Sequence, residues 1–444
     1  MPRLCQLRRS SIEPASRGRA SGLHGAGLDQ SDESNLMNVL IIGINYAPEL
    51  VGIGPYTAGM AQFLANAGHL VTVICAKPYY PQWKVDPAFA SGGRRVTQEH
   101  GVRVVRVPTY VPAQPNGIRR LAHHMSFAAR AEMAMIAETR RSNPDVVIGI
   151  APSLISMVTA RHAARRAGAK LWMHIQDFEV EAAFATGLLR EKGALADLAR
   201  KFEVWAIKAD RVSTISPQMR TKLAEKGIPG DRIVEFRNWA NIDEVVPLEA
   251  PSPYRAKWAI NRAHVAVYSG NIANKQGIEI VVEAARLLRH RADLAFVVCG
   301  NGPNRAKLSE ISAGMDNIYF HDLQPRERLS DLLGMASIHL LPQIAGAADL
   351  VLPSKLTNML ASGRPIVATT YPGTGLADEV EGCGLITPPG DASAFAAAIE
   401  RLIDDDALRE SSGQTARERS IERWSREIIL SHFENSVRTL SDNK

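Results

Sequence analysis

The sequence predicts an α/β protein built from two doubly wound domains, each with a mostly parallel sheet. Short, near-continuous apolar runs rich in Val and Ile recur along the chain, as is typical of strands buried on both faces. Segments with helical periodicity lie between these runs and give repeated βαβ units. At 444 residues the chain is too long for a single core, and the series of repeats starts twice, at Asn38 and at His264. Two domains follow from these three observations.

Residues 1–36 precede the first strand and are rich in Arg, Ser and Gly. They lack apolar periodicity and cannot bury enough surface to fold, so we expect a disordered tail. The apolar core of a secretory signal is missing from this segment. Its arginines leave a transit peptide open, and translation starting at Met37 is an equally good interpretation.

The first repeat series is assigned to residues 37–245, which we predict to form the N-terminal domain. The strand at Asn38–Ile44 is followed by a loop that contains Gly52 and Gly54, and then by a helix that ends near Gly68. Glycines at the carboxyl end of a strand allow a ligand to approach the backbone. Further strands are expected near 70–75, 103–107, 145–150, 170–175 and 211–214, with helices near 119–142, 153–167, 194–209 and 217–227.

Residues 246–262 contain three prolines and are predicted to be the linker between the domains. The second series, residues 263–420, forms the predicted C-terminal domain, and residues 421–444 form a helix that can pack back on the first domain. Strands are expected near 264–269, 294–299, 317–321, 337–341, 365–369 and 384–386. The ligand cleft should then lie at the strand-end loops of the two sheets.

Composition and charge narrow the class of protein. Hydrophobic residues make up 45% of the chain, charged residues 22%, and the apolar runs are all shorter than the roughly 20 residues needed to span a bilayer. Four separated cysteines without a CxxC pattern indicate a reducing, cytoplasmic compartment. Residues 94–170 hold 13 Lys or Arg against 4 acids. Such a basic region suits an anionic partner such as membrane headgroups, or is a solvated surface, while nucleic acid is disfavoured because no binding module is recognisable.

The segment at 349–369 contains the best candidate for a phosphate site. A loop is followed by a short helix with Ser354 as its expected N-cap, a stop at Gly363 and a buried strand. The first turn of a helix offers free N–H groups and a partial positive charge, to which Lys355 adds a full charge. An ordinary αβ connection is the competing interpretation.

Several motifs, taken together and in order, resemble the GT4 family of GT-B glycosyltransferases. The segments that carry this resemblance are YSGNIANKQG (268–277), VCGNG (298–302), SGRPIVA (362–368), ELVGIG (49–54) and NAGHLVTV (66–73). Within that family, the WcaI-type colanic acid biosynthesis enzymes are similar at INYAPELVGIGPY (44–56), PYYPQW (78–83), HIQDFEV (174–180) and LPSKLTN (352–358). The resemblance implies a GT-B architecture, with two Rossmann-like domains facing each other across a cleft.

The resemblance also implies a retaining sugar transfer that uses a GDP- or UDP-linked sugar as co-substrate, with no further cofactor and no metal. The donor-binding candidates are Gly54, Gly270, Asn271, Lys275, Gly300, Asp349, Ser354, Lys355 and Asn358. The family's Glu-x7-Glu pair is absent here, because Leu350 and Asn358 occupy the matching positions. The sole Asp-x-Asp, Asp404 to Asp406, ends an amphipathic helix, where a solvated turn is the better interpretation.

Acceptor-side and catalytic candidates come from the first domain. The acceptor side comprises Glu49, Gly52, Tyr80 and Trp83; the aromatic loop at 78–83 can stack on a sugar, reach the membrane interface or pack on its own domain. Asp177 and His174 are the catalytic candidates, since either can position or deprotonate an acceptor hydroxyl. A structural role for His174 stays open.

We therefore expect a glycosyltransferase of exopolysaccharide assembly that uses a lipid-pyrophosphate-linked glycan as acceptor. It would be cytoplasmic and peripheral on the inner face of the cell membrane, with the basic helix near 119–142 facing the lipid. A non-catalytic nucleotide-sugar or glycan-binding protein, and a GT-B epimerase or hydrolase, are the alternatives. Binding without turnover, or change of the donor without an acceptor, would distinguish them.

Overall fold

Two parallel-sheet layers organise the protein in a computed structural model. It describes residues 36–49, 52–180, 193–240, 242–272, 277–344 and 352–442. The predicted tail lies outside these ranges, apart from Leu36.

The first sheet has eight strands in the order β3-β4-β2-β1-β5-β6-β7-β8. Its strands are β1 (Asn38–Gly43), β2 (Leu70–Ala76), β3 (Arg95–Glu99), β4 (Val102–Val107), β5 (Val146–Ala151), β6 (Lys170–Ile175), β7 (Arg211–Thr214) and β8 (Ile233–Glu235). All neighbouring strands are parallel except β3 and β4. The described helices of this half are α1 (Gly54–Asn66), α2 (Pro87–Ala90), α3 (Gly117–Ser142), α4 (Leu154–Ala167), α5 (Ala194–Ile207) and α6 (Pro217–Glu225).

The second sheet has six strands, all parallel, in the order β11-β10-β9-β12-β13-β14. They are β9 (His264–Ser269), β10 (Leu294–Cys299), β11 (Ile318–His321), β12 (Ile338–Leu341), β13 (Ile366–Thr369) and β14 (Gly384–Thr387). The helices are α7 (Pro253–Lys257), α8 (Glu279–Leu287), α9 (Arg305–Ile311), α10 (Leu329–Gly334), α11 (Ser354–Ala361), α12 (Gly375–Val380), α13 (Ala392–Asp404), α14 (Asp406–Trp424) and α15 (Arg426–Asp442). The predicted fold class is confirmed.

Strand order fixes where a ligand can bind. The first strand of each half lies inside its sheet, with β2 and β5 beside β1, and β10 and β12 beside β9. In open parallel sheets the connections change direction at such a point, and a crevice opens outside the carboxyl ends of the strands. The loops after β1 and β9 are therefore the natural ligand-binding loops of the two halves.

The last two helices belong to different cores. Ala416 and Trp424 of α14 are buried with α11 and β13 of the second half. The apolar face of α15 packs on the first sheet, where the Phe433 ring stacks 4.3 Å from Phe236 and lies 5.1 Å from Trp172. Burial of one such aromatic side chain contributes about 1.5–3 kcal/mol. The chain thus returns to the first sheet at its carboxyl end.

The two halves also meet where the chain passes between them. The backbone N–H of Ala240 donates to Trp424 O at 2.9 Å, beside the helix break at Ser425. Two residues further on, Ile242 is already buried in the second core, as is Val245. The described residues 236–240 and 242–245 thus cross from the first half to the second, and residues 424–426 cross back beside them.

Candidate active site

Two glycine loops meet at the carboxyl edge of the second sheet. The N–H of Gly270 donates to Cys299 O at 3.0 Å, and the N–H of Ile272 donates to Asn301 O at 2.9 Å. A Cβ on Gly300 would overlap the carbonyl oxygen of Gly270. Only a residue without a side chain permits this approach, so the predicted donor residues Gly270 and Gly300 build one backbone surface after β9 and β10.

Lys355 lies against this surface. Its Nζ donates to the Tyr268 hydroxyl at 3.0 Å and lies 4.2 Å from the centre of the Tyr268 ring. A Cβ built on Gly270 would be 3.4 Å from the same Nζ. The Tyr268 hydroxyl in turn donates to Asn271 O at 2.6 Å. One tyrosine therefore connects the lysine to the loop that follows β9.

Burial disfavours the charged form of this lysine and lowers the pKa of Lys355 to about 8. A group with this pKa is mostly protonated at pH 7. A diphosphate placed beside the ammonium would restore its charge at higher pH, because an opposite charge favours ionisation. Lys355 is thus a desolvated cation at the glycine loops, which suits a phosphate ligand.

The helix that carries Lys355 differs slightly from the prediction. Pro353 occupies the N-cap position without a side-chain cap, and Ser354 is the first helical residue, so the expected Ser354 cap is wrong. Half-buried Asn358 lies three residues after Lys355, on a neighbouring part of the helix surface. Lys355 and the backbone of the first turn lie at the N-terminal end of α11, and Asn358 lies about one turn further along the helix.

Two predicted donor residues, Lys275 and Asp349, lie outside the described residues. Asn271, by contrast, is described and exposed beside Gly270. The sequence analysis did not include Tyr268 or Arg305 among the candidate site residues. Arg305 Nη1 donates to Gly300 O at 2.8 Å and to Asn301 Oδ1 at 2.9 Å. Nothing in the pattern indicated them, because Tyr268 reads as a buried strand residue and Arg305 as a surface helix residue.

On the first sheet, Glu49 ties together the loops that follow β1 and β2. Its Oε1 accepts the N–H groups of Tyr79 and Tyr80, both at 3.0 Å, and its Oε2 accepts Asn45 Nδ2 at 2.9 Å. The side chain is buried, and burial raises the pKa of Glu49 although these hydrogen bonds oppose the shift. The predicted acceptor-side contact of Glu49 is thereby disfavoured, since the carboxylate holds two loops in place.

The same assembly includes the predicted glycines. Gly52 has a left-handed φ of +72°, and a Cβ there would be 3.0 Å from the Tyr80 ring. A Cβ on Gly54, the first residue of α1, would be 3.0 Å from Glu49 Cβ. Tyr80 is itself 37% exposed at this edge. The glycine loop and the aromatic loop thus form one packed unit.

Trp83 belongs to an aromatic cluster that includes a histidine the sequence did not indicate. Its ring centre lies 5.5 Å from Tyr79 and 5.4 Å from His123, and Arg120 lies 5.7 Å from it. Burial lowers the pKa of His123 to about 4, so this imidazole is neutral at pH 7. The Trp83 ring therefore packs on its own domain, while the acceptor-side contact of this loop stays a prediction.

A second missed feature lies beside that cluster. His124 Nδ1 is 3.1 Å from Glu179 Oε1, and the other carboxylate oxygen of Glu179 accepts the Leu154 N–H at 2.9 Å. This contact joins the start of α3, the start of α4 and the loop after β6. The His-His doublet at 123–124 was the available signal.

His174 and Asp177 occupy different environments. His174 is 1% exposed within β6, its Nδ1 lies 2.9 Å from Ser213 Oγ, and burial lowers its pKa to about 3. Ser213 Oγ accepts the Trp172 indole N–H at 2.7 Å and can donate its own proton to His174. A neutral, enclosed imidazole of this kind is structural, so the catalytic prediction for His174 is disfavoured. Asp177 is exposed in the loop that follows β6, at the edge where a ligand would lie.

The Asp-x-Asp at the end of α13 is explained by ion pairs. Asp404 Oδ1 lies 2.9 Å from Arg291 Nη1, and Asp406 Oδ1 lies 2.6 Å from Arg409 Nη2. Asp405 between them caps α14 through the Leu408 N–H at 2.9 Å. These carboxylates therefore have structural partners.

Two family models match the chain and divide it as the two sheets do. The glycosyl transferase 4-like domain matches residues 51–239. The glycosyl transferases group 1 domain matches residues 263–405. Together they include the glycine loops of both halves and Lys355.

A protein of Escherichia coli strain K12 that carries the name colanic acid biosynthesis glycosyl transferase WcaI is 38% identical over 413 residues. The match covers 90% of this chain and 100% of that protein. The alpha-D-kanosaminyltransferase of Streptomyces kanamyceticus is 26% identical over 217 residues, 47% of this chain and 55% of that protein. Both of these relatives carry the names of sugar transferases.

Solved structures share the fold at low identity. Sucrose-phosphate synthase from Thermosynechococcus elongatus superimposes with a TM-score of 0.64 at 19% identity, covering 92% of this chain and all of that one. Anabaena HepE, solved in complex with UDP, gives a TM-score of 0.64 at 15% identity, covering 91% of this chain and all of that one. The two sheets, the paired family domains and the full-length relative agree: the chain belongs to the GT4 family of GT-B glycosyltransferases and is an enzyme of that class.

Proposed function

We propose that the chain transfers a sugar from a UDP- or GDP-linked donor to a lipid-linked glycan in exopolysaccharide or capsule assembly. The observation that carries this proposal is Lys355, a half-buried cation held by Tyr268 against the glycine loop at Gly270. A departing nucleoside diphosphate needs positive charge and backbone N–H donors placed in advance. The name of the WcaI relative supports the pathway, and the UDP bound to HepE supports a nucleotide donor.

The second half is assigned to the donor and the first half to the acceptor. In this assignment Lys355 and the α11 N-terminus stabilise the negative charge of the diphosphate without a metal. Asn358 lies within reach of the nucleoside. Asp177 positions the acceptor hydroxyl from the loop after β6. We further propose that the anomeric configuration is retained, as the family resemblance implies.

Purified protein should release nucleoside diphosphate only when a suitable nucleotide sugar and a lipid-linked acceptor are both present. We expect EDTA to leave the rate unchanged and Asp177→Ala to lower kcat at least about tenfold, since a positioned acid–base group typically supplies a factor of about 10²–10⁴. Asp197→Ala, which removes an exposed carboxylate from α5, serves as the matched control. Donor binding without any turnover would contradict the proposal, and donor conversion without acceptor would indicate an epimerase or hydrolase.

The surface of α3 supports attachment to a membrane. Four apolar side chains along this helix are exposed: Ile118 (80%), Leu121 (53%), Met125 (55%) and Met133 (60%). Their spacing of three, four and eight residues places them along one side of the helix, and the exposed Arg119, Arg120 and Arg130 lie on the same helix. Apolar side chains with neighbouring arginines suit a helix lying in the interface of an anionic bilayer. Among the described residues, no helix is long and apolar enough to cross the bilayer.

Replacing Leu121 and Met125 together by serine should weaken binding to anionic vesicles by at least about tenfold, because each buried apolar side chain contributes about 1.5–3 kcal/mol. Co-sedimentation with vesicles containing anionic lipid measures this. The control is the double serine variant of Leu287 and Leu323, which are also exposed but lie in the second half. Equal binding by both double variants would show that α3 does not contact the bilayer.

A further inference from the structure

A basic pocket lies at the amino edge of the first sheet, away from the glycine loops. Its volume is about 670 Å³, within the range of small-molecule sites. It is formed by the carboxyl end of α4, the start of β6, the α5–β7 loop and the turn before β8. The charged residues that line it are Arg161, Arg165, Lys170, Lys208, Asp210 and Arg232.

The pocket is far from the transfer site. Lys170 lies in the pocket and begins β6, whereas Asp177 follows the other end of that strand. Six residues of extended strand span about 20 Å. Since parallel strands place their amino ends at one edge, a ligand in this pocket would not touch the loops after β1 or β6, which leave the opposite edge. The residues that line the pocket all belong to the first half of the chain.

The positive charge of the pocket exceeds what its surroundings neutralise. Asp210 is its only acidic lining residue, and its Oδ2 accepts the Leu171 N–H at 2.8 Å. Lys170 has a partner of its own and is left out of the balance. The carboxyl ends of α4 and α5 each add roughly half a negative charge, so Arg161, Arg165, Lys208 and Arg232 leave a surplus of about two positive charges. In the part of the chain that the structure describes, Arg165, Lys208 and Arg232 are exposed and have no carboxylate partner.

Arg161 is fixed at the wall of this pocket. Its Nη2 donates to the carbonyl oxygens of Trp205, at 2.9 Å, and of Lys208, and its guanidinium lies 5.0 Å from the centre of the Trp205 ring. Its Nε is buried without a partner among the described residues. Burial lowers the pKa of Arg161 from its usual value, and the charge of Arg165 lowers it further. A bound anion would relieve both effects, because it supplies the missing opposite charge.

We propose that this pocket binds a phosphate- or pyrophosphate-bearing ligand at a site separate from sugar transfer. Arginine guanidinium groups match phosphate oxygens in a bidentate manner, and a surplus of about two positive charges suits a ligand with more than one negative charge better than a single carboxylate. The same chemistry is offered by the headgroup of an anionic lipid and by a soluble phosphorylated molecule. The pocket exceeds the size of inorganic phosphate, so either source fits.

The test compares the full-length chain with its triple variant Arg165→Gln, Lys208→Gln, Arg232→Gln. The triple variant should bind inorganic pyrophosphate at least about tenfold more weakly than the unmodified chain, since even one lost charged hydrogen bond has this effect. Titration calorimetry measures both affinities. Pyrophosphate also suits the donor site, so the comparison is repeated in the Lys355→Ala background, where the pocket-dependent binding should persist. All three replaced side chains are exposed, and an unchanged melting temperature verifies the fold.

The matched control is the triple variant Arg94→Gln, Arg326→Gln, Arg401→Gln, which removes the same charge from exposed positions elsewhere. Vesicles of phosphatidylcholine with and without phosphatidic acid then identify the source. If the pocket variant loses both pyrophosphate and phosphatidic acid binding, the ligand is a lipid headgroup; loss of pyrophosphate binding alone indicates a soluble ligand. Equal pyrophosphate affinity in the pocket and control variants would overturn the proposal, as would loss of all binding through Lys355→Ala alone.

Discussion

Replacing Lys355 by alanine should weaken binding of the donor nucleotide by about ten- to a hundredfold, the effect of losing a charged hydrogen bond to phosphate. The ammonium lies at the glycine loops and is held by Tyr268 at 3.0 Å, so its position is fixed before the ligand arrives. A fixed cation loses little conformational entropy on binding. Calorimetry with UDP, GDP and ADP, using whichever nucleotide the unmodified protein binds, measures the change.

The pH dependence of donor affinity gives a second, independent signature of the same residue. Because the pKa of Lys355 is about 8, the charged form predominates below pH 8 and is lost as the pH rises through that value. Phosphate binding favours the charged form, so above pH 8 each binding event must take up a proton. Affinity should therefore fall by up to about tenfold per pH unit above 8 in the unmodified protein. This fall should be absent in Lys355→Ala and in Lys355→Arg, since arginine stays protonated throughout.

The control for both measurements is Lys307→Ala. Lys307 lies on α9 of the same half, is 64% exposed and pairs with Glu279 at 3.5 Å. Its removal changes the net charge equally but should leave affinity and its pH dependence unchanged. If Lys355→Ala and Lys307→Ala bound the nucleotide alike, the diphosphate site would have to lie elsewhere.

The strands that carry the sites could be predicted because parallel strands buried on both faces need near-continuous apolar sequence. β9 and β10 were predicted at their observed bounds. β3 was missed because Arg95–Glu99 is a largely exposed, polar edge strand, antiparallel to β4. β8 was missed because three residues carry no periodicity. Local pattern thus predicted the interior strands and also β11 and β14 at the edges of the second sheet, and it missed β3 and β8, the polar and the very short edge strand of the first sheet.

The residues of the site were predictable by type but not by environment. Sequence spacing predicts a lysine at the start of a helix and glycines after strands. It does not predict that Lys355 lies against Tyr268, because the two residues are 87 positions apart in the chain. The burial of His174 was hidden for a related reason: both faces of β6 are covered, so no alternation shows where a side chain points. Long-range packing, which sequence spacing does not encode, separates a structural histidine from a catalytic one.

A buried ion-pair network holds the two halves together at their crossing. Arg237, which follows β8, donates through Nη1 to Glu379 Oε1 of α12 at 2.6 Å, and Arg423 Nη1 donates to the same oxygen at 3.2 Å. The Arg237 guanidinium also lies 4.9 Å from the centre of the Trp424 ring. Burial opposes the charge of Arg237, but Glu379 and Glu235 more than offset it, so the pKa of Arg237 lies above its usual value.

Glu379→Ala should lower the free energy of unfolding by about 3–5 kcal/mol, because it leaves a buried guanidinium without its main partner. The side chains of Glu379 and Arg237 are 3% and 11% exposed, so water can replace the lost carboxylate only in part. Urea unfolding followed by circular dichroism measures the change. The control is Glu381→Ala, which removes an exposed carboxylate two residues further on. Its free energy of unfolding should stay within about 0.5 kcal/mol of that of the unmodified protein.

A double variant distinguishes two contributions to the stability change: the free-energy cost of leaving Arg237 without Glu379, and the net stabilisation by the ion pair. If the loss in Glu379→Ala comes from a buried guanidinium left with Glu235 as its carboxylate partner, Glu379→Leu combined with Arg237→Met should recover much of it, since apolar side chains of similar volume can replace a buried pair. If instead the pair fixes the geometry of the crossing, the double variant should regain stability but transfer sugar more slowly, because Arg237 lies on the segment that joins the first sheet to the second core. Equal stability of Glu379→Ala and Glu381→Ala would show that the network contributes nothing to holding the halves together.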